Sequence, residues 1–293
     1  MLTVKKKMFE ENEELCIAMA TRCGVIKKTP LSQFRHLRKI GIRALTIEEG
    51  DDLIGAGLVE PGDEIILSTA KGMACRFKSS DVRAMGRTAR GVTGIKFKLE
   101  GDRIVSMEVV PGDGTVTEDP RNAVLPEGVE EIMEPEDTAE EIDEQLGDEN
   151  DDTALEDTGR PQILIVTSGG MGKRSYVEDY RLTRRGAKGV KNLNLRDGEE
   201  VVAAVKVQHG DELIITTERG QVVRISVDEI RIVGRASKGV KIMELRKGDR
   251  ITGVARLIEI EGQKKPVPAE EPVVATETTA ETQETNPPAP EQV

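Results

Sequence analysis

Residues 65–76 read Ile65-Ile66-Leu67-Ser68-Thr69-Ala70-Lys71-Gly72-Met73-Ala74-Cys75-Arg76. An apolar run leads into a threonine, a glycine follows three places later, and a second run ends on a base. Two β-favouring runs around a short glycine turn specify a β-hairpin, in which Gly72 supplies the positive φ that other L-residues resist. The same order of residue types recurs in 15–28, 163–174 and 213–224. Thr21, Thr69, Thr167 and Thr217 are followed by Gly24, Gly72, Gly170 and Gly220, then by Lys28, Arg76, Arg174 and Arg224 seven places after the threonine. Such self-similarity is the mark of a repeat architecture.

Working outward, each hairpin is followed by a second block: Gly41-Ile42-Arg43, Gly94-Ile95-Lys96, Gly189-Val190-Lys191 and Gly239-Val240-Lys241. An apolar strand comes next, then a turn at Gly50-Asp51, Gly101-Asp102, Asp197-Gly198 or Gly248-Asp249, then a closing strand such as 251–255. Each repeat therefore supplies about four short strands. Thr21 and Thr69 are 48 residues apart and Thr167 and Thr217 are 50 apart, whereas Thr69 and Thr167 are 98 apart, one period plus an insertion. A four-stranded unit of this length fits a propeller blade rather than a helical solenoid. The expectation is an all-β, β-propeller-like body of about four to five four-stranded blades, four complete and a partial element at 1–9. Blades occupy 1–111 and 161–258, separated by 112–160 and followed by 259–293.

Charge divides along the same boundaries. The chain is formally −12, yet residues 1–110 hold 19 Lys and Arg against 15 Asp and Glu, and 161–258 hold 19 against 12. Residues 111–160 hold 2 bases and 19 acids, and 259–293 hold 2 and 8. The body is basic and its appendages acidic, a pattern of partner binding rather than of fold. The appendages hold too little apolar surface to offset their ordering entropy, so both are expected to be disordered. With no Trp, two Tyr and four Phe, the chain lacks the rings on which single-strand binders stack bases. Cys16, Cys23 and Cys75 form no CxxC pair and read as free thiols in a reducing cytoplasm. No 18-residue apolar run or secretory leader is present, so no membrane partner is expected.

Catalytic patterns fail on spacing. Gly169-Gly170-Met171-Gly172-Lys173 resembles a phosphate loop, but Thr167 stands where its first glycine is needed and Arg174 where Ser or Thr should follow. His36 and His209 lack sequence neighbours at metal-ligand spacing. Asp51, Asp52 and Asp102 recur at turns, where aspartate has a structural use. No nucleophile stands with a base. No catalytic residue, metal or cofactor is expected.

The bases carry more information. Between hairpin and second block lie Arg35, Arg38, Lys39 and Arg43; Arg83, Arg87, Arg90 and Lys96; Arg181, Arg184, Arg185, Lys188 and Lys191; and Arg231, Arg235, Lys238 and Lys241. With Lys27, Lys28, Arg76, Arg174 and Arg224, these are the candidate duplex-DNA contacts. A propeller would set them round one edge, where cations neutralise successive phosphates and bend a duplex. Affinity would come from counterion release and not from reading bases.

Three stretches, 19–34, 82–95 and 232–240, resemble the C-terminal domain of the DNA gyrase A subunit, and with their repeats the similarity spans most of 14–258. The resemblance implies a β-pinwheel, a propeller relative whose blades exchange strands and whose basic perimeter wraps DNA. It implies a role in negative supercoiling within an ATP-dependent type IIA topoisomerase, in the cytoplasm at the nucleoid. Partners would be double-stranded DNA, the A-subunit catalytic region and the B subunit, with ATP and magnesium belonging to those parts. The family's active-site tyrosine lies in an upstream domain without counterpart here, and Tyr176 and Tyr180 fall inside a blade. The family's Gln-Arg-Arg-Gly-Gly-Lys-Gly box has only a degenerate echo, Thr183-Arg184-Arg185-Gly186-Ala187-Lys188-Gly189. The alternatives are the related topoisomerase IV domain, which binds DNA without chiral wrapping, and a propeller scaffold for an acidic protein partner.

Overall fold

The computed structural model describes residues 2–112 except Glu13 and Leu37, and 154–257 except Glu156. Four hairpins stand where the threonine–glycine repeat placed them: β1 (Cys16–Thr21) with β2 (Val25–Pro30), β4 (Glu64–Thr69) with β5 (Met73–Lys78), β8 (Gln162–Thr167) with β9 (Met171–Tyr176), and β13 (Glu212–Thr217) with β14 (Val222–Ser226). The recurring spacing has a direct cause. Each threonine carbonyl accepts the glycine N–H at 3.0–3.3 Å, and each threonine hydroxyl accepts the N–H four residues on. The four glycines hold φ between +80° and +89°. Threonine and glycine thus close the same turn four times.

A third strand flanks each hairpin on its first strand: β3 (Leu53–Val59), β7 (Ile104–Val110), β12 (Val201–Val207) and β16 (Ile251–Leu257). These four pack side by side in that order and form the inner wall. Gly57 leaves room for Val109, the Ser106 hydroxyl donates to the Ala204 carbonyl, and Arg256 donates to the Lys206 carbonyl.

The outer strands come from the following repeat. β6 (Val92–Thr93) completes the first sheet on β2, β10 (Leu182–Thr183) and β11 (Val190–Lys191) complete the second on β5, and β15 (Val240–Lys241) completes the third on β9. The fourth sheet ends at β14 and has three strands among the described residues. Burial follows the exchange. One core joins Ile26 of the first hairpin to Ile65, Leu67 and Ile95 of the second repeat; another joins Ile66 and Ala74 to Ile163, Ile165 and Val190; a third joins Leu164 and Val166 to Leu213 and Ile215. Each fully buried Ile or Leu contributes roughly 1.5–3 kcal/mol, and much of that stabilisation lies at the joints between blades. The molecule is an all-β, propeller-like row of four small antiparallel sheets.

Some expectations are corrected. The exchanged segment of the second repeat is Gly91-Val92-Thr93, not Gly94-Ile95-Lys96: Gly91 has φ +107°, as Gly189 (+80°) and Gly239 (+77°) are positive, and Gly94 lacks a positive φ. Gly41 is also left-handed, at +79°, but residues 40–48 form no strand. Met8–Glu11 form a single helical turn. Residues before 161 also pack on the fourth repeat and the third hairpin: the Leu155 N–H donates to the Ile232 carbonyl, and Asp157 pairs with Arg174. The expectation of disorder for 112–160 otherwise falls on 113–153, and that for the tail on 259–293, both outside the described residues.

Candidate nucleic-acid interface

Between each of the last three hairpins and its exchanged strand, the connector runs along the outer edge of the preceding blade. It first lies parallel to the preceding second strand, pairing Ala84 with Lys28, Leu182 with Arg76 and Ile232 with Arg174. It then turns back and enters the antiparallel exchanged pair. Arg83, Arg181 and Arg231 stand directly before the parallel contact, and Arg90, Lys188 and Lys238 directly before the exchanged glycine. Arg83, Arg181, Arg231 and Lys238 are exposed and face no carboxylate partner among the described residues. Arg90 reaches Glu48 at 2.8 Å with both side chains largely in water, so that pair is worth little. Arg184, Lys96, Arg35, Arg38, Lys39 and Arg43 are exposed as well. Lys191 is half-buried, and Lys241 pairs with Glu244 at 2.9 Å.

Other candidates serve the fold. The cation seven residues after each of the first three threonines reaches across to the next blade. Lys28 donates to the Ser79 carbonyl at 2.7 Å, Arg76 to the Val177 and Tyr180 carbonyls at 3.0 Å, and Arg174 to the Ile230 carbonyl at 2.6 Å. Arg76 also pairs with Glu64, and Arg174 with Asp157 and Gln162. Arg224, in the fourth sheet, pairs with Glu212 instead. Lys28, Arg76 and Arg174 tie blades together because buried helix-end and turn carbonyls need donors.

Lys27 is engaged within the fold too. Its ammonium is buried and donates to the Ala44 and Arg87 carbonyls; burial, with Arg87 nearby, pulls its pKa down. Lys173, which sequence reasoning passed over, repeats this arrangement on the Gly234 and Arg235 carbonyls. The shared signal was a lysine six places after the threonine. Arg185 donates to the Asp81 and Thr93 carbonyls, and Arg235 to the Lys191 carbonyl, which leaves both half-buried. Arg87, at the equivalent place, is also half-buried. A further recurring set was missed: Lys98, Arg196 and Arg246 are exposed and follow Phe97, Leu195 and Leu245, which pack over the turn glycines of the preceding blades.

The turn carboxylates are engaged. Asp51 accepts the Cys23 N–H at 2.9 Å, Asp102 the Lys71 N–H at 2.9 Å, and Asp249 the Arg219 N–H at 3.2 Å and the Thr217 hydroxyl at 2.8 Å. His209, without a ligand-spaced neighbour in sequence, meets Asp228 at 3.0 Å in space, close to Asp157. Arg174 lies 3.0 Å from Asp157 and 3.8 Å from Asp228, so a guanidinium already supplies the positive charge there. Tyr180 is fully buried, its hydroxyl donates to Asn192, and burial drives its pKa up. No helix among the described residues is long and apolar enough to cross a membrane.

Comparison with known proteins agrees with this geometry. Residues 17–60, 63–111, 161–208 and 211–257 each match the family described as the DNA gyrase C-terminal domain, beta-propeller. The DNA gyrase A subunit of Deinococcus deserti is 33% identical over 220 residues, covering 69% of this chain and 26% of the relative. That of Chlamydia muridarum is 36% identical over 224 residues, covering 70% and 25%. The chain thus spans about a quarter of the length of these relatives. Among solved structures, the C-terminal domain of DNA topoisomerase IV superposes with a TM-score of 0.63 at 21% identity, over 83% of this chain and 62% of the other. The DNA gyrase A C-terminal domain superposes with a TM-score of 0.61 at 22% identity, over 84% and 67%. With four successive repeats matched and the exchanged sheets in place, the chain belongs to the family of DNA gyrase C-terminal domains.

Proposed function

We propose that the chain binds duplex DNA along its outer edge and bends it from one blade joint to the next. The observation that carries this reading is the pairing of Arg83 with Arg90, Arg181 with Lys188 and Arg231 with Lys238, at the same two positions of three successive joints. Cations repeated along a curved edge neutralise successive phosphates, and counterion release supplies the affinity. The one aromatic in these three connectors, Tyr180, is fully buried and cannot stack on bases, so sequence preference would come from DNA deformability. In this reading the chain is the C-terminal module of a gyrase-type topoisomerase A subunit. It acts in the cytoplasm with the A-subunit catalytic region and the B subunit, which hold the ATP and magnesium, and it supports negative supercoiling.

The test is duplex binding across a salt series. Arg83→Gln, Arg181→Gln and Arg231→Gln combined remove three phosphate contacts, so the slope of log affinity against log salt falls by about 3. An unchanged slope with an unchanged fold rejects the edge as the binding surface and favours a scaffold for protein partners. A second reading, binding without chiral wrapping as in topoisomerase IV, is favoured by one observation: Arg185 of the degenerate box is engaged by the Asp81 and Thr93 carbonyls. Relaxing a plasmid by topoisomerase I in the presence of the chain separates the two. A linking-number change supports wrapping, and binding without one supports the second reading.

A further inference from the structure

The arginine seven places after the threonine takes a carboxylate partner, and the hairpins supply it differently. In the second and fourth, a glutamate five places before the threonine provides it from the first strand: Glu64 meets Arg76 at 2.6 Å and Glu212 meets Arg224 at 2.9 Å. The third hairpin has Gln162 at that place, fully buried and uncharged. Its amide oxygen accepts from Arg174 at 3.1 Å, and its amide nitrogen donates to Asp157 at 2.9 Å. Asp157 then takes the Arg174 guanidinium at 3.0 Å. A residue from outside the hairpin thus fills the place that an in-sheet glutamate fills in two other blades. The other charges there are Asp228, 3.8 Å from the guanidinium, and His209, 3.0 Å from Asp228.

The segment that carries Asp157 lies over the third joint. The Leu155 N–H donates to the Ile232 carbonyl at 2.8 Å, on the side of that connector turned away from β9. Farther along, the Thr158 N–H donates to the Tyr176 hydroxyl at 3.2 Å, and Arg160 lies 4.2 Å over the Tyr176 ring and pairs with Glu178 at 2.7 Å. Ile232 is 2% exposed, whereas Leu182 is half-buried and Ala84 exposed at the same place of the other two joints. The residue before each is an exposed edge cation, Arg83, Arg181 or Arg231. Two joints therefore present an open outer edge, and the third is covered. Leu155 is 44% exposed, so hydrogen bonds and ion pairs hold the segment with little buried apolar surface, the mark of a piece that opens locally at low cost.

We infer that Leu155, Asp157, Thr158 and Arg160 form an autoinhibitory strap, latched by Asp157 beside Gln162, which a duplex must lift to lie along the third joint as it lies along the other two. The inference rests on the duplex-binding reading of the edge. Lifting the strap leaves the joint itself closed, because Arg174 keeps the Ile230 carbonyl and the Gln162 oxygen.

The latch can be released on its own in the full chain. Gln162→Glu gives Arg174 a carboxylate in its own sheet, as Glu64 does for Arg76, removes the amide donor to Asp157 and sets a like charge beside it. Leu155→Pro removes the N–H given to Ile232 and leaves Arg174 and Gln162 untouched. In both variants, amide exchange over 154–160, read by mass spectrometry, should quicken while β8 and β9 keep their protection. Leu155→Pro decides alone if Gln162→Glu loses that protection. Duplex affinity at low salt should rise severalfold, although Gln162→Glu adds a negative charge that by itself would lower it. Faster strap exchange with unchanged or lower affinity overturns the inference and leaves the binding edge standing. Unchanged strap exchange in Gln162→Glu overturns the latch. Absence of duplex binding by the unaltered chain and by both variants rejects the edge, and the inference with it.

Discussion

Replacing Arg174 with alanine should unfasten the third joint, and the structure sets the size of the effect. The guanidinium is buried and donates to the Ile230 carbonyl at 2.6 Å, to Asp157 at 3.0 Å and to Gln162 at 3.1 Å. Truncation leaves the carbonyl and the amide oxygen without a donor, at about 1–3 kcal/mol each. Asp157, 26% exposed, regains water in part. The sum is about 4 kcal/mol, within the range for breaking a buried ion pair. Arg224 occupies the same repeat position with its side chain half in water and Glu212 as partner, so Arg224→Ala should cost about 0.2–1 kcal/mol. Urea unfolding reads the difference: about 3 kcal/mol with a slope near 2 kcal/mol per molar separates the midpoints by about 1.5 M. Arg174→Lys should fall between them, since Lys28 shows that one ammonium can reach one carbonyl across a joint. Equal losses at 174 and 224 would refute the idea that position in the row, rather than residue type, decides what this cation does.

Burial raises the Glu108 carboxyl above its ordinary 4.5, with the Lys206 N–H, Lys206 and Arg256 pulling the other way. A raised folded-state pKa favours the fold fully below the unfolded value and loses that contribution as pH rises through the folded one. Glu108→Gln should therefore stabilise the chain at neutral pH, and the gain measured by urea unfolding should vanish by about pH 4.5; a gain independent of pH contradicts the assignment. Cys16 and Cys75 are buried and Cys23 is exposed, and burial lifts Cys75 to about 11. A maleimide should then label Cys23 alone in the native chain and the other two only after denaturation, as mass spectrometry would show. Deleting 113–153 removes most of the acidic insertion while sparing Leu155 and Asp157; duplex affinity should rise at low salt and the gain should fade at high salt. Equal affinities at low salt would discard competition between that segment and the basic edge.

The hairpins were legible because Thr and Gly each do one local job at fixed spacing, and the turn geometry at Gly24, Gly72, Gly170 and Gly220 repeats that job. Which sheet a two-residue strand joins is a non-local fact. Val92, Val190 and Val240 follow the hairpins of their own repeats in sequence, yet they pair with the preceding ones. Gly91 and Gly94 both precede a β-branched residue, and only the backbone angle separates them. The candidate site was half legible for a similar reason. A cation recurring once per blade either stays exposed at the edge, as Arg83 does, or meets a carbonyl across the joint, as Arg174 does. Arg83 and Arg174 share the period and differ only in what lies opposite their tips, which no spacing reveals.

Because each of the first three blades is completed by the next repeat, the row behaves as a one-dimensional lattice of nearest-neighbour couplings. Excising one interior repeat would leave each surviving junction chemically of the same kind, so the number of repeats is a length setting that the fold itself does not constrain. Trimming from the carboxyl end has a different result: it strips the outer strand from the blade before it, and every such cut exposes a new edge.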